Sequence, residues 1–212
     1  MNIEKVKNKA KQGDVDSQVK LGACYYYGIG IRKNPERAFE LLRKAAEQCH
    51  PDAQDLLADC YRFGIGVKKN TRKRLYWCRR AARSGSDTAQ LDLADSYMKG
   101  DGIKKDMKQA VIWYRKSASQ GNAYAQYNLG LCYDKGRGVK KDLRKAFQWF
   151  QRSAEQGDDD GQKALAICYE DGDGVTKDMK QAVYWYRIVN QQKKAAIGHA
   201  IYWDSVTGTE KA

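Results

Sequence analysis

Side chains able to carry catalysis are few in this chain and poorly spaced for joint work. His50 and His199 are its two histidines, and no His-x-x-x-His or Cys-x-x-Cys metal spacing occurs. No Gly-x-Ser-x-Gly elbow presents a serine. One recurrent feature has the outline of a phosphate cradle: a Gly-x-Gly pair with Lys33, Lys69, Lys105 or Lys141 three residues beyond its second glycine. A dinucleotide fingerprint requires a preceding strand and a third glycine, and neither is present. The expectation is a chain with no enzymatic activity, no cofactor and no metal.

The glycines mark a period instead. Gly28/Gly30, Gly64/Gly66, Gly100/Gly102, Gly136/Gly138 and Gly172/Gly174 recur every 36 residues. Gln18, Gln54, Gln90, Gln126 and Gln162 keep the same register, as do Leu21, Leu57, Leu93, Leu129 and Leu165, and Tyr25, Tyr61, Tyr97, Tyr133 and Tyr169. Leu41 is followed at that interval by Trp77, Trp113, Trp149 and Trp185. A fixed period of this length means that each unit buries its apolar face by stacking on copies of itself. Function then belongs to an extended surface.

Periodicity also defines the unit. Ala125, Leu129, Gly130, Cys132 and Tyr133 fall three and four apart, which makes one helical stripe. This helix A is predicted over residues 123–135, with Asn122 as N-cap and Asp14, Ser86 and Asp158 at matching positions. His50 breaks that series and is followed by Pro51, harmless at a first helical position. Gly-x-Gly closes helix A, because glycine enters the left-handed region without strain. Asn34, Asn70, Asp106, Asp142 and Asp178 open helix B, which carries Ala146, Trp149, Phe150, Ser153 and Ala154 on one face and stops at Gly157. The product is an antiparallel helical hairpin repeated along the chain. Ala38, Ala110, Ala146 and Ala182 form a small column of helix B into which Arg74 intrudes, while Tyr and Trp fill the space between units.

Residues 3–12 resemble the end of a helix B and residues 195–203 another helix A, terminal elements that would cover the exposed ends of the stack. Thr207 to Ala212 are expected to fray. Six cysteines are present, of which Cys24, Cys60, Cys132 and Cys168 share one column. Equivalent helices in a stack stand roughly 8–10 Å apart, beyond the roughly 7 Å Cα separation that a disulfide spans. They are expected to be reduced core residues. Cys49 and Cys78 lie outside the column, and their pairing stays open.

The charged start MNIEKVKNKAKQG lacks the apolar core of a secretion signal, and no apolar run approaches roughly 18 residues. A soluble, cytoplasmic monomer is expected. The net charge of +13 is first of all a solubility term.

The segment AQYNLGLCYDKGRGVKKDLRKAFQWFQRSAEQG, residues 125–157, resembles a Sel-one-like repeat, a relative of the tetratricopeptide repeat with a longer turn between its helices. The resemblance covers nearly the whole chain in five copies. It implies an all-α fold, a right-handed α-solenoid (α/α superhelix) of antiparallel helix pairs that serves as scaffold or adaptor for other proteins. The single domain is expected to span 1–212, with a capping helix in 1–13, repeats at 14–49, 50–85, 86–121, 122–157 and 158–193, and a capping helix and tail in 194–212. Some bacterial relatives bridge paired cysteines within each repeat and are associated with β-lactam binding or hydrolysis; the cysteine pattern here differs and disfavours that reading.

In relatives of this repeat the first helices line the concave side. Helical periodicity then exposes Asp16, Val19 and Tyr26 in repeat one, Asp52, Asp55, Asp59 and Arg62 in repeat two, and Leu91, Asp95 and Met98 in repeat three. Tyr124, Tyr127, Leu131, Asp134, Lys163, Ile167 and Glu170 continue the set. This acidic, partly aromatic groove suits a basic or apolar segment of a partner protein. The alternative partner is nucleic acid or another polyanion on the second helices, where Arg72, Lys73, Arg74, Arg79, Arg80 and Arg83 crowd repeat two. Base stacking would need aromatic side chains among those cations. Assigning the helix B aromatics to the core favours the protein partner.

Overall fold

The computed structural model describes residues 2–191, and all regular structure among them is helical. Ile3–Lys11 (α1) is followed by Val15–Tyr27 (α2), Pro35–Glu47 (α3), Pro51–Phe63 (α4), Thr71–Arg83 (α5), Asp87–Lys99 (α6) and Met107–Ser119 (α7). Ala123–Lys135 (α8), Leu143–Glu155 (α9), Asp159–Asp171 (α10) and a helical run at 179–191 complete the series. Helices α2 to α10 are all 13 residues long, so a pair with its long and short turns fills one sequence period. The chain forms two compact units, Met1–Gln120 with α1 to α7 and Gly121–Ala212 with α8 onward. The elements expected at 195–203 and 207–212 lie outside the described residues. No helix among the described residues is long and apolar enough to cross a membrane.

Capping explains where the helices begin. The Asn122 carboxamide oxygen accepts from the Ala125 amide at 2.9 Å, and Asp14, Ser86 and Asp158 do the same for α2, α6 and α10. His50 makes no such bond, and Pro51 leads α4. Asn34, Asn70, Asp106 and Asp142 cap the second helices in turn. Each bond satisfies an amide that has no partner inside its helix.

The paired glycines have separate roles, which the sequence reading merged into one. Gly64 is the left-handed C-cap of α4, with φ 77° and its amide donating to the Cys60 carbonyl at 2.9 Å. Gly66 lies against the start of α3, where a Cβ would run into the Pro35 carbonyl. Gly174 meets Leu143 of α9 in the same manner. The second glycine is thus where the turn of one hairpin abuts the second helix of the hairpin before it. Cys49 takes a turn glycine's place at φ 67°, the one non-glycine with positive φ among the described residues.

Successive hairpins are locked by buried glutamines. Gln18, Gln54, Gln90 and Gln162 donate through Nε2 to the carbonyls of Ala10, Ala46, Ala82 and Ala154 at 3.1–3.4 Å. The C-cap glutamine of the second helix in the same hairpin then donates to the first glutamine's oxygen: Gln48 to Gln18, Gln120 to Gln90 and Gln156 to Gln126. Around these bonds Leu57, Leu93, Leu129 and Leu165 are fully buried, with Ala38, Ala110, Ala146 and Ala182 letting the helices approach. All six cysteines are free; Cys49 is exposed and the other five are buried.

Hairpin two has Ser84 where hairpins one, three and four carry the C-cap glutamine, and the buried Gln54 oxygen has no partner. Ser84→Gln should therefore raise stability by about 1 kcal/mol, read as a higher urea midpoint. An equal gain in a Gln54→Met background would assign the effect to the helix end rather than to the glutamine pair.

Candidate functional site

In the unit of residues 1–120, α4 and α6 gather the predicted acidic residues into a network that is largely satisfied from within. Arg62 of α4 lies 3.9 Å from Asp59 and is ion-paired with Asp92 of α6. Asp55 accepts from Ser86 at 3.3 Å and from Thr88, and Asp95 accepts from Lys99 at 3.0 Å and from the Tyr114 hydroxyl. Asp92 was not among the predicted residues; no repeated column singles it out. Leu91, Met98 and Tyr26 are half-buried, whereas Asp52 and Asp16 are exposed, Asp16 standing 3.4 Å from the His50 ring.

Val19 is a correction. It was placed on the open face, yet it is 8% exposed and belongs to the apolar cluster of Leu42, Ala53 and Leu57. Helices α2 and α4 touch, and a short apolar side chain at that seam is enclosed where the aspartate at the same repeat position, Asp55, keeps contact with polar partners.

Burial raises the Asp59 carboxyl from the ordinary 3.8 to about 6, with the nearby charges of Asp92 and Asp55 adding to the shift and Arg62 and Arg74 opposing it. Its folded-state value exceeds the unfolded one, so ionised Asp59 destabilises the fold above about pH 6. That penalty fades as pH falls from about 6 toward 4. Burial first, then the Asp59 charge, lifts the Tyr26 hydroxyl to about 12.

In the unit beginning at Gly121 the same helix positions carry apolar chemistry. Tyr127 and Leu131 of α8, Phe150 of α9 and Ile167 of α10 line a groove of about 460 Å³. Ile167 is 46% exposed, while the Phe150 ring is buried, 5.9 Å centroid to centroid from Tyr127. Gly130 makes room for that ring, since a Cβ there would strike it. Asp134, Asp160, Asp171 and Asp173 edge the groove, with Lys135 held 3.0 Å from Asp134 and Lys163 3.0 Å from Asp160. The structure therefore brings Tyr127, Leu131, Asp134, Lys163 and Ile167 together. Tyr124 is exposed and not part of the groove lining, and Glu170 is also outside it, accepting from the Tyr186 hydroxyl at 2.8 Å.

The predicted basic face also needs correction. Arg72, Lys73 and Arg83 are exposed and Arg79 and Arg80 half-buried, but Arg74 is 4% exposed inside the alanine column. Its guanidinium donates twice to Ser96 Oγ at 3.2 Å and once to the Asp101 carboxylate at 2.8 Å. Ser96 stands at the position occupied by cysteine in the other four hairpins, so the two departures are partners. Nor are the tryptophans all core: Trp113 and Trp149 are half-buried beneath Lys116 and Arg152, 4.4 and 4.7 Å from their ring centroids. Cations and aromatic side chains do share the second-helix surface.

Ser96→Cys should leave the buried guanidinium with Asp101 alone and cost about 1–2 kcal/mol, whereas Arg74→Ala with Ser96→Cys should stay within about 1 kcal/mol of the parent. A thermal-unfolding double-mutant cycle reads the coupling, and additive effects would refute it. Asp59→Asn should raise the unfolding free energy at pH 8 by on the order of 1 kcal/mol, with the gain shrinking toward pH 4; a gain independent of pH would show that the carboxyl titrates normally.

With this geometry the chain resembles known repeat proteins over most of its length. The Sel1 repeat signature matches residues 15–48, 51–86, 87–122, 123–158 and 159–188. A protective antigen of uropathogenic Escherichia coli displaying an SLR fold is 35% identical with TM-score 0.84; the match covers 88% of this chain and 40% of that protein. A Sel1 repeat protein from Oxalobacter formigenes is 37% identical with TM-score 0.79, over 85% of this chain and 74% of the other. At 20% identity and TM-score 0.56, covering 89% of this chain and 92% of the other, a Klebsiella pneumoniae sel1 repeat protein shares the fold. Among curated proteins none matches. The fold is an all-α repeat solenoid, and the chain belongs to the Sel1 repeat family.

Proposed function

We propose that this protein is a non-enzymatic interaction scaffold that captures a segment of a partner protein on its first-helix face, with the groove of α8, α9 and α10 as the anchor. Sel1 repeat proteins are generally protein-interaction scaffolds, which supports the broad part of this reading. The observation that carries the finer part is the open groove itself, where Ile167 remains 46% exposed beside Tyr127 and Leu131 under a rim of four aspartates. An apolar side chain entering it would bury on the order of 100 Å², worth about 2–3 kcal/mol. A neighbouring arginine or lysine would meet Asp171 or Asp173, for which no ion pair is present among the described residues. The carboxylates of α4 and α6 make a poorer anchor, because Arg62, Lys99, Ser86, Thr88 and Tyr114 already satisfy most of them.

Short random peptides displayed and selected on the full chain should converge on an apolar residue next to arginine or lysine. Ile167→Arg should weaken a selected peptide by at least about tenfold, about 1.4 kcal/mol, while Asp52→Lys leaves it unchanged. Selection of peptides without that pattern, or full retention of binding in Ile167→Arg, would sink the groove as the anchor.

A further inference from the structure

The second-helix surface of the unit of residues 1–120 has a chemistry that the groove does not use. Helix α5 contains no acidic residue, and Arg72, Tyr76, Arg79, Arg80 and Arg83 follow one another at three- and four-residue spacing, so they form one stripe along it. Lys73 stands apart from the stripe, lining a shallow cleft with Glu36 and Glu40 of α3.

Within the stripe Tyr76 is 52% exposed. Its hydroxyl accepts from Arg80 Nη1 at 2.9 Å, and the Arg80 guanidinium lies 5.7 Å from the ring centroid and 5.4 Å from that of Trp77. No carboxylate among the described residues pairs with Arg72, Arg79, Arg80 or Arg83. Helix α7 is also free of acidic residues and adds Lys116 stacked over Trp113.

An ordinary solvated helix mixes its signs, as α3 does with Glu36, Glu40 and Glu47 among Arg37, Arg43 and Lys44. Helix α5 instead concentrates guanidinium groups around an aromatic side chain that is half exposed to solvent. Arginines without a carboxylate partner attract phosphates, and an exposed ring between them offers a stacking platform to any base that is free of a duplex. An acidic peptide would use the arginines alone and leave the ring without a role.

We propose that the outer surface of α5, continued by α7, binds single-stranded nucleic acid, with phosphates held by Arg72, Arg79, Arg80 and Arg83 and a base stacked on Tyr76. The site is independent of the peptide groove, so either can fail without the other.

Fluorescence anisotropy of the full chain with labelled oligouridine tests this. Binding should weaken steeply with salt, with a log–log slope of roughly −0.7 for each phosphate contacted. Tyr76→Ala should lower affinity about tenfold and Tyr76→Phe should preserve it. Replacing the four arginines together by serine should abolish binding, and replacing them by lysine should keep most of the salt-sensitive part. Four results would overturn the proposal: no binding at low salt, no effect of Tyr76→Ala, equal competition by duplex, or equal competition by polyglutamate. The last would redefine the surface as a receptor for acidic protein segments.

Discussion

The last carbonyls of a helix have no amide of their own helix to satisfy them. Within each unit such a carbonyl accepts from a glutamine that belongs to the next hairpin, as Ala46 does from Gln54. Burying a carboxamide costs less when its oxygen is also satisfied, which is the role of the glutamine at the C-cap of the same hairpin's second helix, Gln120 toward Gln90 for example, and which Gln54 lacks. These bonds fix register, because a slip of one hairpin against its neighbour would break them. Once register is fixed, the leucine and alanine columns meet, and Gly66 can lie against Pro35 with no side chain between them.

On that shared frame the two units differ in chemistry at equivalent positions. Where repeats two and three present Asp59 and Asp95, the fourth and fifth present Leu131 and Ile167. The first arrangement folds its charge inward onto Arg62, Lys99 and Tyr114, leaving Asp59 ionised at some energetic penalty. The second leaves apolar surface uncovered. A repeat scaffold can thus hold constant the residues that join hairpins while varying those that meet a partner.

Much of this was legible in the sequence. The period gave the hairpins, Asn122 and its equivalents marked helix starts, and the cysteine column was read as buried and reduced; each depends on local chemistry repeated in register. What escaped depends on contacts between hairpins. Arg74 stands out as an intruder in the alanine column yet counts among the cations of a basic helix until Ser96 is recognised as the missing cysteine of its column. Val19 reads as open because helical periodicity does not show that α2 and α4 close over it. Trp113 and Trp149 share a column with the buried Trp77 but stay half-covered, with Lys116 and Arg152 lying over their rings. Which aspartates stay free for a partner could not be read from spacing, since Arg62 and Asp92 meet across two hairpins.

The cysteine column has a practical consequence. Hairpins one, two, four and five each contain one buried sulfhydryl in the first helix, Cys24, Cys60, Cys132 and Cys168. Burial pushes Cys60 and Cys168 to about 12 and Cys132 to about 11, which leaves almost no reactive anion at neutral pH in the closed state. An alkylating reagent would therefore react at Cys60, Cys132 and Cys168 only when the segment holding each opens. The native chain carries its own set of reporters for the order in which a solenoid frays.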